Sequence, residues 1–197
     1  MLSVVPSKKL ILASSSPRRQ ELLSMCGLSF DVIPANIDED SFLGRSPEKL
    51  VRDLSYEKAA VIARNNPEAA VIGADTIVVL DGEVLGKPKD SSDAFRMLTK
   101  LQGRTHSVVG GFTVIINGER LTESCETKVT FTKLTADEIS AYVATGEPLD
   151  KAGAYGAQGI GASFVERIDG SYTNVVGLPL RECIAALRRL GIVRCGN

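Results

Sequence analysis

Histidine is nearly absent from this chain: His106 is the only one in 197 residues. A Ser-His-Asp hydrolase would have to use it, yet His106 opens an apolar, β-branched run and no Gly-x-Ser-x-Gly motif occurs. A lone imidazole in that setting reads as a core or surface residue. Cysteine is also sparse. Cys26, Cys125, Cys183 and Cys195 are scattered with no Cys-x-x-Cys pair, which excludes the usual zinc and disulfide frameworks and fits a reducing compartment. Long apolar runs are missing, and nothing approaches the ~18 residues of a membrane span. Residues 1–9 carry two lysines and no long apolar core follows, so a signal peptide is not expected. Finally, there is no excess of positive charge. Lys and Arg number 23 against 24 Asp and Glu, for a net charge of −1. Non-specific nucleic-acid binders depend on such an excess. The expectation is a cytoplasmic protein with neither nucleic acid nor membrane as partner. A small anionic ligand needs only local positive charge, which this balance permits.

What is present alternates between strand and helix patterns. Residues 10–13 read as a short buried strand, 17–26 as a helix and 29–34 as a second strand. Ser16 before Pro17, and Ser46 before Pro47, give two cap-then-proline helix starts, and Gly27 is a natural helix stop. The second of these helices extends to about Arg64. Residues 69–80 form an apolar, β-branched run, followed by a tight Asp81-Gly82 turn into 83–85. A helix over 90–102 ends at Gly103. Strands over 106–116 and 122–133 meet at Asn117-Gly118, the strongest hairpin signal in the chain. Thr135 and Glu138 form a capping box for a helix that stops near Gly146. Residues 150–161 hold Gly153, Gly156, Gly159 and Gly161 and read as a loop shaped around something. A strand over 163–168, an Asp169-Gly170 turn and a terminal helix over 179–190 complete the chain. In that helix Ile184, Leu187 and Leu190 are core positions. The length suits one domain over residues 1–197, and hairpins mixed with strand–helix alternation give an α/β class with a mixed sheet.

Several positions point to chemistry. The Ser-Ser-Ser-Pro-Arg-Arg run over 14–19 places hydroxyls and two guanidinium groups at a helix N-terminus, whose outward N–H groups and dipole favour an anion. Asp75 interrupts an otherwise apolar strand, where a carboxylate is costly unless paired, hydrogen-bonded or metal-bound. Glu39 lies in an acidic loop, and Lys58 and Lys87 are single cations. On their own these three also fit a solvated surface. Gly86-Lys87 does not complete a P-loop, because position 81 is Asp and Pro88 stands where Ser or Thr is required. The glycine-rich loop contains no dinucleotide fingerprint. Cations and a helix start for phosphate, with carboxylates for a hard divalent cation, together fit hydrolysis of a nucleoside triphosphate.

Five motifs then carry a resemblance. Leu-Ala-Ser-Ser-Ser-Pro-Arg-Arg (12–19), Gly-Ala-Asp-Thr (73–76), Gly-Lys-Pro (86–88), Asp-Lys-Ala-Gly-Ala-Tyr-Gly-Ala-Gln-Gly (150–159) and Val-Gly-Leu-Pro (176–179) occur in order. Over about Lys9 to Leu190 the chain resembles the Maf family of nucleoside triphosphate pyrophosphatases. The resemblance implies a fold akin to inosine triphosphate pyrophosphatases: an elongated mixed sheet flanked by helices, with two lobes around a cleft. It implies cleavage between the α- and β-phosphates with Mg²⁺ or Mn²⁺. Asp75 then takes the place of the proton acceptor and Glu39 that of a second carboxylate serving the metal. Lys58 and Lys87 hold phosphate charge, and Arg19 with the Ser14, Ser15 and Ser16 amides completes a cradle.

Arg18, Thr76 and Gln158 match the specificity positions of the branch acting on dTTP and UTP, and modified pyrimidine nucleotides are further candidates. The 7-methyl-GTP branch instead carries a tryptophan before its arginine pair, Asp-Gln at 75–76 and Glu at 158. An amide offers a pyrimidine edge both a donor and an acceptor, whereas an ionised carboxylate only accepts. House-cleaning of nucleotide pools is the implied role, and family members form homodimers. The alternative is a non-catalytic, nucleotide-sensing regulator of septum formation, since the family name derives from a septum-inhibition phenotype.

Overall fold

Local signals place most of the elements. The computed structural model describes residues 2–42 and 44–195. In chain order the elements are β1 (Leu2–Val4), β2 (Lys9–Leu12), α1 (Pro17–Met25), β3 (Asp31–Val32), α2 (Pro47–Arg64), β4 (Ala69–Leu80) and β5 (Glu83–Leu85). They continue with α3 (Ser91–Leu101), β6 (Thr105–Ile116), β7 (Glu119–Phe131), α4 (Ala136–Ala144), β8 (Val165–Asp169), α5 (Tyr172–Val176), α6 (Leu180–Arg189) and β9 (Val193–Cys195). Proline stands at the start of both α1 and α2, where its missing N–H costs no helical bond. The Thr135–Glu138 capping box is formed in both directions. Asn117 and Gly118 both take positive φ, 50° and 79°, as a two-residue hairpin between β6 and β7 requires.

Among the described residues, seven strands form one mixed sheet in the order β3-β2-β4-β6-β7-β8, with β5 paired to β4. The β2–β3 and β2–β4 pairs are parallel, whereas β4–β5 and β7–β8 are antiparallel. The α/β class with a mixed sheet is therefore the observed one. A separate two-stranded sheet joins β1 to β9, antiparallel, with Ser3 opposite Arg194. Sequence patterning does not reveal that pair, because each strand has three residues and its partner is at the other end of the chain.

The chain separates into two compact units, each built from discontinuous segments: 1–75, 110–125 and 177–197 in the first, 76–109 and 126–176 in the second. In the first, Ile11, Ala13, Ala59, Ile62, Ala69 and Val71 form a buried cluster that seats α2 on the sheet. In the second, α3 and α4 pack together over Leu98, Leu101, Phe131 and Tyr142.

Several expectations are refined. Ser16 and Ser46 sit at the cap positions of α1 and α2, but neither side chain bonds the helix start. Just before α1, Ser14 Oγ accepts from the N–H of the cap residue Ser16 at 3.3 Å. The strand expected over 29–34 is only two residues long, β7 begins three residues earlier than expected, and Ile160–Phe164 is a 3₁₀ turn preceding β8. The five-residue α5 has too few turns to show a helical period. Ile184 and Leu187 are buried, as expected of a core face, while Leu190 is half-buried.

Candidate functional site: a buried carboxylate and its cations

Glycine brings helix and strand together at the site. A Cβ on Gly73 would lie 2.1 Å from the Ser55 carbonyl oxygen and 2.6 Å from the Ala59 nitrogen, so only glycine lets β4 approach the α2 backbone this closely. Strand residues two apart share a face, which puts Asp75 on the side of β4 that Gly73 presents to α2. Lys58 lies about one helical turn beyond Ser55 on the facing side of α2. The result is an ion pair: Lys58 Nζ donates to Asp75 Oδ1 at 2.7 Å, with the two side chains only 11% and 10% exposed.

A second carboxylate shares that ammonium. Glu39, in the exposed 3₁₀ turn Glu39–Phe42 packed against α2, places Oε1 2.7 Å from Lys58 Nζ. One lysine thus neutralises a buried and an exposed acid. Burial of Asp75 is tolerated because its charge is paired within hydrogen-bond distance. Lys58 uses only Oδ1, and among the described residues Oδ2 of Asp75 accepts no hydrogen bond.

Arg19 comes to the same region from the first turn of α1. Its Nη1 donates to Ser14 Oγ at 3.1 Å and its Nε to the Gly177 carbonyl at 2.9 Å. Burial pushes its pKa below the ordinary arginine value; Asp75 and Glu39 attract its charge and Arg18 repels it. A guanidinium remains protonated under these conditions, so Arg19 is a fixed positive charge that feels both carboxylates. Ser14 is buried and serves as a hub, accepting from both Arg19 and the Ser16 N–H.

The first unit therefore gathers Ser14, Arg19, Glu39, Lys58 and Asp75, with Arg18 half-buried beside Arg19. Thr76, Lys87 and Gln158 belong to the second unit. Thr76 is half-buried on the face of β4 opposite Asp75, Lys87 is exposed just after β5, and Gln158 is exposed in the glycine-rich segment. Among the described residues no group of three or more His, Cys, Asp or Glu stands together as a ready metal cage. Nor is any helix among them long and apolar enough to cross a membrane.

His106 is a core residue, 2% exposed, with Nε2 2.8 Å from the Tyr155 hydroxyl. Sequence reasoning missed Glu147. Its carboxylate accepts from backbone N–H groups of the glycine-rich segment, and the only local signal is an acid placed shortly before a run of glycines.

Comparison with known proteins places the chain among relatives. The family model described as Maf-like protein matches residues 9–190. A dTTP/UTP pyrophosphatase of Geotalea uraniireducens is 52% identical over 187 residues, spanning 93% of this chain and 96% of the relative. One from Bacillus pumilus is 50% identical, over 93% of this chain and 97% of its own. Among solved structures, a HAM1 protein from Coxiella burnetii superposes with a TM-score of 0.47 at 14% identity, covering 92% of this chain and 99% of that one. With a family match across nearly the whole chain and relatives about half identical over nine-tenths of it, this chain belongs to the Maf family.

Proposed function

We propose that this chain hydrolyses dTTP and UTP between the α- and β-phosphates, releasing the nucleoside monophosphate and pyrophosphate. The observation that carries the reading is the buried Asp75 carboxylate, bonded through one oxygen to Lys58 and attracted to Arg19. It stands in a chain whose relatives at about 50% identity are named dTTP/UTP pyrophosphatase.

Asp75 Oδ2 is the acceptor for a proton from the attacking water, and it orients that water toward the α-phosphorus. Lys58 fixes the carboxylate through Oδ1 and, with Arg19, supplies positive charge that offsets the triphosphate. Lys87 adds a further cation for the leaving pyrophosphate. The N-terminal end of α1, braced by Ser14, meets phosphate with outward N–H groups. Arg18, Thr76 and Gln158 read the base. The donor set also suits a hard divalent cation. Glu39 and Asp75, the two carboxylates that share Lys58, are the residues that would hold Mg²⁺ or Mn²⁺. When bound, such a cation would offset phosphate charge and make a water easier to deprotonate. A role in nucleotide sensing alone is not favoured, since the relatives are named for hydrolysis.

The test is direct. Purified protein is incubated with dTTP, UTP and 7-methyl-GTP in the presence of Mg²⁺, and the products are resolved by chromatography. Monophosphate and pyrophosphate from the two pyrimidine substrates are expected. Orthophosphate as the sole inorganic product would mean γ-phosphate cleavage and end this reading.

A further inference from the structure

The glycine-rich segment closes around the protein's own side chains. Glu147 opens the 3₁₀ turn Glu147–Asp150 that follows α4, and it reaches the segment with both carboxylate oxygens. Its Oε1 accepts from the Tyr142 hydroxyl at 2.9 Å and from the Gly161 N–H at 3.1 Å, and its Oε2 accepts from the Ile160 N–H at 2.9 Å. The Tyr142 oxygen accepts in turn from the Gly156 N–H at 3.2 Å. One carboxylate and one phenol therefore hold the chain on both sides of Gln158.

The glycines follow from that clamp. A Cβ on Gly159 would lie 2.4 Å from Glu147 Oε2, and one on Gly161 would lie 2.7 Å from the Tyr142 oxygen. These positions are small because the carboxylate and the phenol fill the space a side chain would need. Burial raises the Glu147 pKa, but bonds from Ile160, Gly161 and Tyr142, with the Lys151 charge, outweigh it and hold the group below the usual carboxylate range.

We propose that Glu147, with Tyr142, is a positioning residue for nucleotide selection: it fixes the 156–161 segment so that Gln158 presents its amide in one orientation. This rests on the reading that Gln158 contacts the base. Glu147 touches no reacting atom in this scheme and acts through the loop.

The test uses the full chain with Glu147→Gln, Glu147→Ala and Gln158→Ala. Glutamine keeps the size of the side chain but turns a donor toward one of the amides, so it loosens the clamp without leaving a hole. Hydrogen exchange at the Gly156, Ile160 and Gly161 amides should speed up by roughly tenfold or more in the Glu147 variants, with α3 and β7 unchanged. KM for dTTP should rise about tenfold with a smaller change in kcat, and the preference for dTTP over 7-methyl-GTP should narrow. A merely structural role would lower thermal stability and leave that preference intact. Wild-type exchange at the three amides in Glu147→Gln, or a loosened loop with unchanged preference, would overturn the proposal. Unchanged preference in Gln158→Ala would instead remove the base-reading role, while the exchange result would still decide the clamp.

Discussion

Asp75 is buried in one unit of the chain and Glu147 half-buried in the other, and the two carboxylates are balanced in different ways. Asp75 is paired with a full charge, the Lys58 ammonium, through one oxygen. Glu147 is held by backbone N–H groups and a phenol through both oxygens. The first arrangement leaves an oxygen available for chemistry. The second uses both in holding a loop. The same contrast extends to their surroundings: the first unit places Arg19 and Lys58 near its acids, whereas the second buries neutral groups such as His106 against Tyr155. Full charges are thus balanced against each other in the first unit, and a carboxylate against backbone and phenol dipoles in the second.

The largest effect is expected from Asp75→Asn. If the open oxygen is the proton acceptor, kcat for dTTP should fall by roughly 10²- to 10⁴-fold, with nucleotide binding still measurable by calorimetry. Full turnover in that variant would remove Asp75 from the role. Next in size is Lys58→Ala. Taking away the ammonium leaves a buried, unpaired carboxylate, and urea unfolding at neutral pH should show a loss of about 3 kcal/mol. Adding Asp75→Asn to that variant should restore much of the loss; if it does not, charge balance is not what Lys58 provides.

On the neutral side of the comparison the expected effect is no larger, about 3 kcal/mol at most. Burial pushes His106 down from 6.5 to about 4. Above the ordinary value the imidazole is neutral in both states and contributes no penalty. Between 6.5 and about 4 the unfolded chain takes up a proton that the folded chain refuses, so stability falls as pH falls, and by about 3 kcal/mol once below the lower value. His106→Gln should flatten the stability profile across that window in denaturant titrations. An unaltered slope would assign the acid sensitivity to other groups.

Much of this was legible locally. Pro17, Pro47, the Thr135–Glu138 box and the Asn117-Gly118 turn act on neighbouring residues, so the sequence shows their effect directly. Asp75 stood out because an acid in an apolar run needs an explanation wherever it folds. Glu147 did not stand out, because an acid before a turn looks like any surface residue until the loop that covers it is in place. The role of Ser14 was hidden for a related reason: its hydroxyl serves Arg19 and Ser16, while the cap-then-proline pattern points to Ser16.

Local sequence was enough for the type and order of the longer elements, and for the identity of the residues able to carry charge or accept a proton, because those properties depend on a residue and its near neighbours. Packing of the folded chain set the rest: Gly73 brings β4 against α2, Lys58 bonds both Asp75 and Glu39, and Glu147 closes the glycine-rich loop. Each of those contacts joins residues well separated along the chain, and their distances are set by packing.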